Sequence, residues 1–321
     1  MRAVRITSLD GPSAVEFLEV AEPESHGQVV IDVHAAGLTF PDVLQTRGLY
    51  QMKPALPYTP GSEVAGVVRS APEGSGFAPG DRVAAFPGLG TFAETVVVPP
   101  AMVFPLPDRL SFAQGAGIPM NVLTVHFALT RRGKLQAGET MLVQGAAGGV
   151  GTAAIQLAKA LGARVIAVTS TDEKAEIARR AGADDVVAVE GFKDAVRALT
   201  DGRGVDLVVD PVGGDRFTDS LRSLAPEGRL LVIGFTAGEI PTVKVNRLLL
   251  GNVSVLGVAW GEFWMKNIAY LQEQWADLLP LLEAGQLDPV IGATYPLEEA
   301  AQALELMDGR GALGKIILTV R

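Results

Sequence analysis

Apolar positions along the chain change their rhythm near residue 120. Up to about residue 118 they come in short β-branched runs broken by Gly and Pro: "RAVRIT", "QVVIDVHAAGL", "SEVAGVVRS", "DRVAAF" and "TFAETVVVP". That pattern predicts a compact β-rich domain. One segment departs from it, because "FPDVLQTRGLY" predicts a short helix with Pro41 in its first turn and Gly48 ending it. From about 120 to 258 the strand-like segments "TMLVQG", "ARVIAV", "DDVVAV", "VDLVVD", "GRLLVIG" and "VSVLGV" mostly alternate with stretches of helical spacing. Such alternation predicts a parallel sheet covered by helices on both faces. Beyond 258, "MKNIAYLQEQWADLLPLLEAGQ" predicts a helix, and the terminal "KIILTVR" predicts a strand returning to the N-terminal domain.

The stretch "LVQGAAGGVGTAAIQLAKALG" carries the first chemical signal. A strand ends, Gly145 leaves it, a bare turn follows, and a helix runs on to Gly162. Against the G-x-G-x-x-G pattern, Ala146 takes the first place and Gly148 and Gly151 the other two. Backbone without side chains can approach a pyrophosphate, and the free N–H groups of the helix start point at its charge. The next strand, "ARVIAV", runs into Thr169 and Ser170 with no carboxylate at its tip to bind a ribose 2′-hydroxyl. Room beside Ser170 and the charge of Lys174 suit a 2′-phosphate, so NADPH is expected over NADH. Ser170 also reads as the N-cap of a "STDE" capping box with Glu173 at its third position, a role compatible with the first. Asp172 in the same turn works against a phosphate.

Composition narrows the classes. A chain of 321 residues, 48% hydrophobic, suits two domains. With 27 Lys and Arg against 36 Asp and Glu, the net charge of −9 argues against nucleic acid as a partner. No apolar run of about 18 residues and no signal-like N-terminus are found, so a soluble, cytoplasmic protein away from membranes is expected. Cysteine is absent, which excludes disulfides, thiolate nucleophiles and sulfur-ligated zinc. His26, His34 and His126 are scattered and read as surface or packing residues, so no metal site is expected.

The order of domains, with "GLTFPDVLQTRGLY", "LPYTPGSEVAGVV", "IPMNVLTVHFAL", "VQGAAGGVG", "DPVGG", "GRLLVIGF" and "GRGALGKIIL", resembles the medium-chain dehydrogenases/reductases over nearly the whole chain. The nearest resemblance is to their zinc-independent, NADPH-dependent quinone oxidoreductases. It implies an α/β fold with a GroES-like catalytic domain, 1–119 and 259–321, and a Rossmann NADPH-binding domain, 120–258. Where zinc-containing relatives carry "GHE", this chain reads "PGSE" with Ser62 in place of His, and Glu63 reads as structural. The resemblance implies Thr124 near the nicotinamide, Ala147, Gly148, Gly149 and Val150 along the pyrophosphate, and Ser170 and Lys174 at the adenosine phosphate. It further implies Phe235, Thr236, Val258 and Trp260 beside the nicotinamide, and Arg310 as a basic group near the cofactor. Relatives often carry Tyr after the third strand of the nucleotide fold, where only Val189 stands here.

On the acceptor side, "GLTFPD" places Thr39 where many relatives have Asn, keeping a hydrogen-bond donor. Tyr50 reads either as a pocket residue that bonds a substrate oxygen or as a half-buried structural tyrosine. Asp42 reads as a helix or interdomain hydrogen-bond partner rather than a base. The expected reaction is metal-free hydride transfer from NADPH to a quinone, with no single indispensable side chain. Two alternatives stand: reduction of an α,β-unsaturated carbonyl (a free enone or an enoyl thioester), and an NADPH-binding protein with a structural or regulatory role. A thioester carrier would need a basic pocket mouth, for which "RRGK" at 131–134 is the only short basic cluster. The apolar strand 253–258 is expected at a sheet edge and, as in relatives, in a homodimer.

Overall fold

The structure, a computed structural model, describes all 321 residues. It contains two compact units. The first comprises Met1–Asn121, Ile268–Glu283 and Ile291–Arg321, and the second Val122–Asn267 and Ala284–Val290. The sequence places the crossings at 119/120 and 258/259.

In the first unit β1 (Arg2–Ile6) pairs antiparallel with β2 (Val15–Glu19). There follow β3 (Val29–Gly37), α1 (Phe40–Gln45), β4 (Glu63–Ser70), β5 (Arg82–Ala85), β6 (Thr95–Val98), β7 (Val103–Pro105) and α2 (Phe112–Ala116); α3 (Pro119–His126) starts in this unit and from Val122 belongs to the second. The short β-branched runs are thus strands, and "FPDVLQ" is the expected helix with Pro41 in its first turn. β3 ends where only glycine fits. A Cβ on Gly37 would lie 2.3 Å from the Ala116 carbonyl oxygen and 2.5 Å from Glu63 Oε1.

The second unit continues through a π-helical turn (Phe127–Arg132) to β8 (Thr140–Val143), α4 (Gly149–Ala160), β9 (Arg164–Thr169), α5 (Asp172–Arg180), β10 (Asp185–Ala188) and α6 (Phe192–Leu199). Then come β11 (Val205–Asp210), α7 (Phe217–Arg222), β12 (Leu224–Val232), α8 (Asn246–Gly251), β13 (Ser254–Gly257) and α9 (Trp260–Trp264). The strands form one parallel sheet in the order β10-β9-β8-β11-β12-β13. The order reverses direction beside β8, which makes the carboxyl ends around β8 the switch point where such sheets bind ligands. Leu142, Ile166, Val168, Val208 and Leu230 from the strands, with Phe192 and Phe217, form a buried apolar cluster. Unbroken apolar strands of this kind belong to a sheet covered on both faces. β13 is an edge strand, as its sequence predicts.

The remaining elements are α10 (Tyr270–Glu283), β14 (Ile291–Pro296), α11 (Ala300–Asp308) and β15 (Lys315–Thr319). The terminal strand does return to the first unit: β15 runs antiparallel to β3 and parallel to β14. Two details differ from expectation. The helix read from Met265 starts at Tyr270, and Trp260–Trp264 forms a separate turn of helix. Pro280 stays inside α10, as the predicted helix already had it. β2 and β14 were not anticipated, because neither has a continuous apolar face, their residues being half-buried or exposed throughout. No helix is long and apolar enough to cross a membrane.

Candidate active site

In the second unit the residues expected around a dinucleotide gather at the carboxyl ends of the parallel strands. Ala147, Gly148, Gly149 and Val150 follow β8, Ser170 and Lys174 follow β9, Phe235 and Thr236 follow β12, and Val258 and Trp260 follow β13. The turn after β8 is compact. Gly145 sits at φ +59, its carbonyl accepts from Gly148 N–H at 3.0 Å, and Ala146 N–H reaches the Val168 carbonyl at 3.4 Å. α4 begins three residues earlier than the "TAAIQLAKA" run implies, at Gly149, with Gly148 as its N-cap. Thr152 N–H bonds Gly148 O at 2.9 Å, so the N–H groups of Gly149, Val150 and Gly151 precede the helical ladder. A Cβ on Gly148 would meet only Gly145 O, at 3.5 Å, whereas one on Gly151 would lie 2.3 Å from the same oxygen. Gly148 therefore borders open space, and Gly151 presses the helix onto the strand end. Free helical N–H groups beside an uncluttered backbone fit a pyrophosphate.

At the adenosine side the cap assignment changes. Thr171, not Ser170, is the N-cap of α5, and its hydroxyl accepts from Lys174 N–H at 3.2 Å. Thr171 has the extended backbone a cap requires (φ −146°, ψ 161°). Ser170 is left exposed at the strand tip, and Lys174 is half-buried in the first turn. Both fit a phosphate on the ribose.

The loops after β11 and β12 are packed together. Thr236 donates from its hydroxyl and its N–H to the Pro211 carbonyl at 3.2 and 3.1 Å. Behind them Asp210 is buried and accepts from the N–H groups of Val212 and Gly213, both at 2.9 Å. Burial raises its pKa, and those two bonds oppose the rise. Asp210 shapes the "DPVGG" turn, a role that the reading of the sequence did not assign. Its signal was a carboxylate at a strand tip ahead of paired glycines, both at positive φ (67 and 65). Phe235 is 38% exposed and so is no core aromatic, while Val258 and Trp260 are buried. Thr124 lies half-buried on α3. In the "RRGK" cluster Arg131 lies 4.4 Å over the Phe263 ring, and Arg132 donates to Gly257 O at 2.9 Å.

The first unit holds Thr39, Asp42, Tyr50 and Arg310. Thr39 caps α1 in a reciprocal box with Asp42. Its N–H and its hydroxyl both donate to Asp42 Oδ2, at 2.7 and 2.6 Å. The hydroxyl proton is therefore turned toward Asp42, and outward Thr39 offers lone pairs. Asp42 is a partner within its own helix start. Burial pushes its pKa up to about 6 against the pull of the two Thr39 bonds and of Lys315. Tyr50 is half-buried, and its phenol pKa is raised by burial first and by the Asp42 charge second, so it is a protonated donor at neutral pH. Arg310 is exposed in the turn after α11, at φ +59.

Both oxygens of Glu63 are engaged within the protein. One oxygen pairs with the buried Lys315 ammonium, and the other accepts from Met120 N–H at 2.6 Å. Burial raises its pKa, and Lys315 opposes this. Ser62 Oγ is buried without a hydrogen-bond partner, and no group of three or more His, Asp or Glu side chains that could hold a metal ion occurs. The donors present do not fit zinc.

Residues 25–108 match the alcohol dehydrogenase GroES-like domain, and residues 149–284 match the zinc-binding dehydrogenase family. Quinone oxidoreductase-like protein 2 of Bos taurus is 36% identical over 324 residues, covering 100% of this chain and 93% of its own. Among solved structures, a probable oxidoreductase from Mycobacterium abscessus is 48% identical with a TM-score of 0.92, over 100% of this chain and 99% of that one. The quinone oxidoreductase from Thermus thermophilus, solved also in complex with NADPH, is 37% identical with a TM-score of 0.87, over 100% of both chains. The chain belongs to the medium-chain dehydrogenase/reductase superfamily, in its quinone oxidoreductase branch. It is an oxidoreductase with a GroES-like domain and a Rossmann-type parallel sheet.

Proposed function

We propose that this chain is an NADPH-dependent reductase that delivers a hydride to a quinone without a metal. The observation that carries the reading is the glycine-capped start of α4 at the switch point of a parallel sheet, where Gly148 borders open space and the N–H groups of residues 149–151 precede the helical ladder. NADPH supplies the hydride from its nicotinamide C4 when bound. The N–H groups of Gly149, Val150 and Gly151 hold the pyrophosphate, with Ala147 and Gly148 leaving room for it. Ser170 and Lys174 read the 2′-phosphate, and Arg310 adds positive charge. Thr124, Phe235, Thr236, Val258 and Trp260 orient the nicotinamide end. Tyr50 donates its phenolic proton toward the acceptor oxygen as charge builds there. Quinone as the acceptor is supported by relatives that carry that name.

Reduction of a free enone is the second reading, since the same donors serve a carbonyl that gains charge. A thioester-linked acceptor is less well served, because Arg131 and Arg132 are engaged within their own unit. NADPH oxidation by the purified protein, with a chelator present, tests these readings against an ortho-quinone, a para-quinone and a simple enone. Turnover of either quinone supports the proposal. Turnover of the enone alone replaces the acceptor, and NADPH binding without turnover favours a structural or regulatory protein.

A homodimer is part of the proposal. β13 leaves a sheet edge unpaired, and beside it Leu249 and Leu250 of α8 are 76% and 80% exposed. An edge with apolar neighbours suits pairing with a second copy. Light scattering that gives a monomer mass would remove it.

A further inference from the structure

The Thr39 hydroxyl has one proton, and in this structure Asp42 takes it. Both bonds from Thr39 converge on Asp42 Oδ2, with both residues almost fully buried (5% and 2% exposed). A hydroxyl held this way can accept a hydrogen bond on its outer side but cannot donate one. If Asp42 carries its proton on Oδ2, the bond reverses: the carboxylic O–H donates to Thr39 Oγ1, and the hydroxyl proton is free to turn outward. No atom leaves either residue.

We propose that Asp42 is a positioning residue for the reduction, setting through this bond whether Thr39 meets the acceptor oxygen as a donor or as an acceptor. The inference rests on the reading of Thr39 and Tyr50 as acceptor-side residues. An oxygen that gains negative charge is stabilised by a donor and repelled by lone pairs, so the productive state is the one with Asp42 neutral. Burial brings that state within reach near pH 6. The charged neighbours of Asp42 are Lys315 on β15, which favours the carboxylate, and Glu63 on β4, which disfavours it. Tyr50 and Tyr58 both feel the Asp42 charge and stay protonated through this range. α11, packed on α1, carries Glu305, which is exposed, and Asp308, which is paired with Arg47 at 2.7 Å.

The test is the pH profile of kcat/KM from pH 5.5 to 8.5, read on whichever of a quinone and an enone turns over. The wild type should lose about tenfold as the pH rises through an apparent pKa near 6. Asp42→Asn has no proton to titrate and, with its amide nitrogen toward Thr39 Oγ1, keeps a donor there at every pH, at the cost of the bond from Thr39 N–H that shares the same oxygen in the wild type. It should therefore hold the low-pH rate across the range. Thr39→Val, which leaves Asp42 in place, should flatten the profile at the low level, and it keeps the test open should the Asn variant not fold. A wild-type limb that survives in Asp42→Asn assigns the titration to Glu63 or another group and overturns the proposal. So does a flat wild-type profile with robust turnover, which leaves the assigned reaction standing. Absence of turnover on both acceptors overturns both.

Discussion

Gly148 and Gly151 lie three residues apart in the same turn, and the structure assigns them opposite reasons for being glycine. A methyl at Gly148 meets nothing closer than Gly145 O at 3.5 Å, and its φ of −85° suits any residue. A methyl at Gly151 would lie 2.3 Å from Gly145 O and 2.7 Å from the Ala146 backbone. Gly148→Ala should thus leave the melting temperature within a few degrees of wild type, an N-cap change from Gly to Ala being worth about 1 kcal/mol or less. Its effect should fall on the cofactor. The new methyl occupies the approach to the N–H groups of residues 149 to 151, and losing one charge-assisted bond there is worth roughly 1.5–3 kcal/mol. That predicts a dissociation constant for NADPH raised about tenfold to a hundredfold. Gly151→Ala should instead lower the melting temperature through backbone overpacking, on the order of 1–3 kcal/mol or more. Fluorescence titration with NADPH beside calorimetric melts of both variants separates the two effects. A Gly148→Ala protein that melts normally and binds NADPH as tightly as wild type would refute the placement of the pyrophosphate.

Lys174→Ala should weaken NADPH by about tenfold and NADH hardly at all, measured as paired dissociation constants; an equal loss for both would remove Lys174 from phosphate recognition. Lys315→Met should destabilise the protein by about 3–5 kcal/mol at neutral pH, because it strands a buried Glu63 carboxylate, and melts should show the loss shrinking as acid neutralises Glu63. Asp42, raised from 3.8 to about 6, binds its proton more tightly folded than unfolded. Its stabilising contribution is therefore complete below about pH 4 and is lost as the pH rises through 6, on the order of 3 kcal/mol in all. Denaturant curves should then show Asp42→Asn gaining on wild type between pH 4.5 and 7, and a constant difference would contradict the raised pKa.

The parallel sheet was legible because its evidence is local and redundant. Each of β8 to β13 is an apolar run, with glycine, a cap or a charged helix face close by, and in β8, β9 and β11 burial on both sides removes the ambiguity of register. β2 and β14 were hidden for the opposite reason. β14 alternates between half-buried and exposed positions, and a Cβ on its Gly292 would lie 1.2 Å from Leu313 O, so its fit depends on a residue 21 positions away that no pattern marks. The Ser170 and Thr171 pair shows a finer limit. Adjacent hydroxyls have the same capping chemistry, and the choice between them follows from where β9 stops.

The residues proposed for the cofactor and those proposed for the acceptor were legible to different depths because they rest on different parts of the chain's chemistry. The nucleotide half is backbone: a strand end, three free N–H groups and glycines chosen for what they lack, all within one short stretch of sequence. Spacing alone reports such a site. The acceptor half is made of side-chain protons and their directions. Thr39 could be read as a donor from its residue type, but Asp42, three positions on, turns that donor inward. The charge of Asp42 in turn depends on Lys315 and Glu63, which lie 252 residues apart in the chain. A donor's direction is a property of the folded neighbourhood and of pH, so no motif could have carried it. The same division bears on function. Substitutions in the glycine turn should alter cofactor binding for every acceptor alike, whereas changes around Thr39, Asp42 and Tyr50 should alter which acceptors are reduced and at what pH.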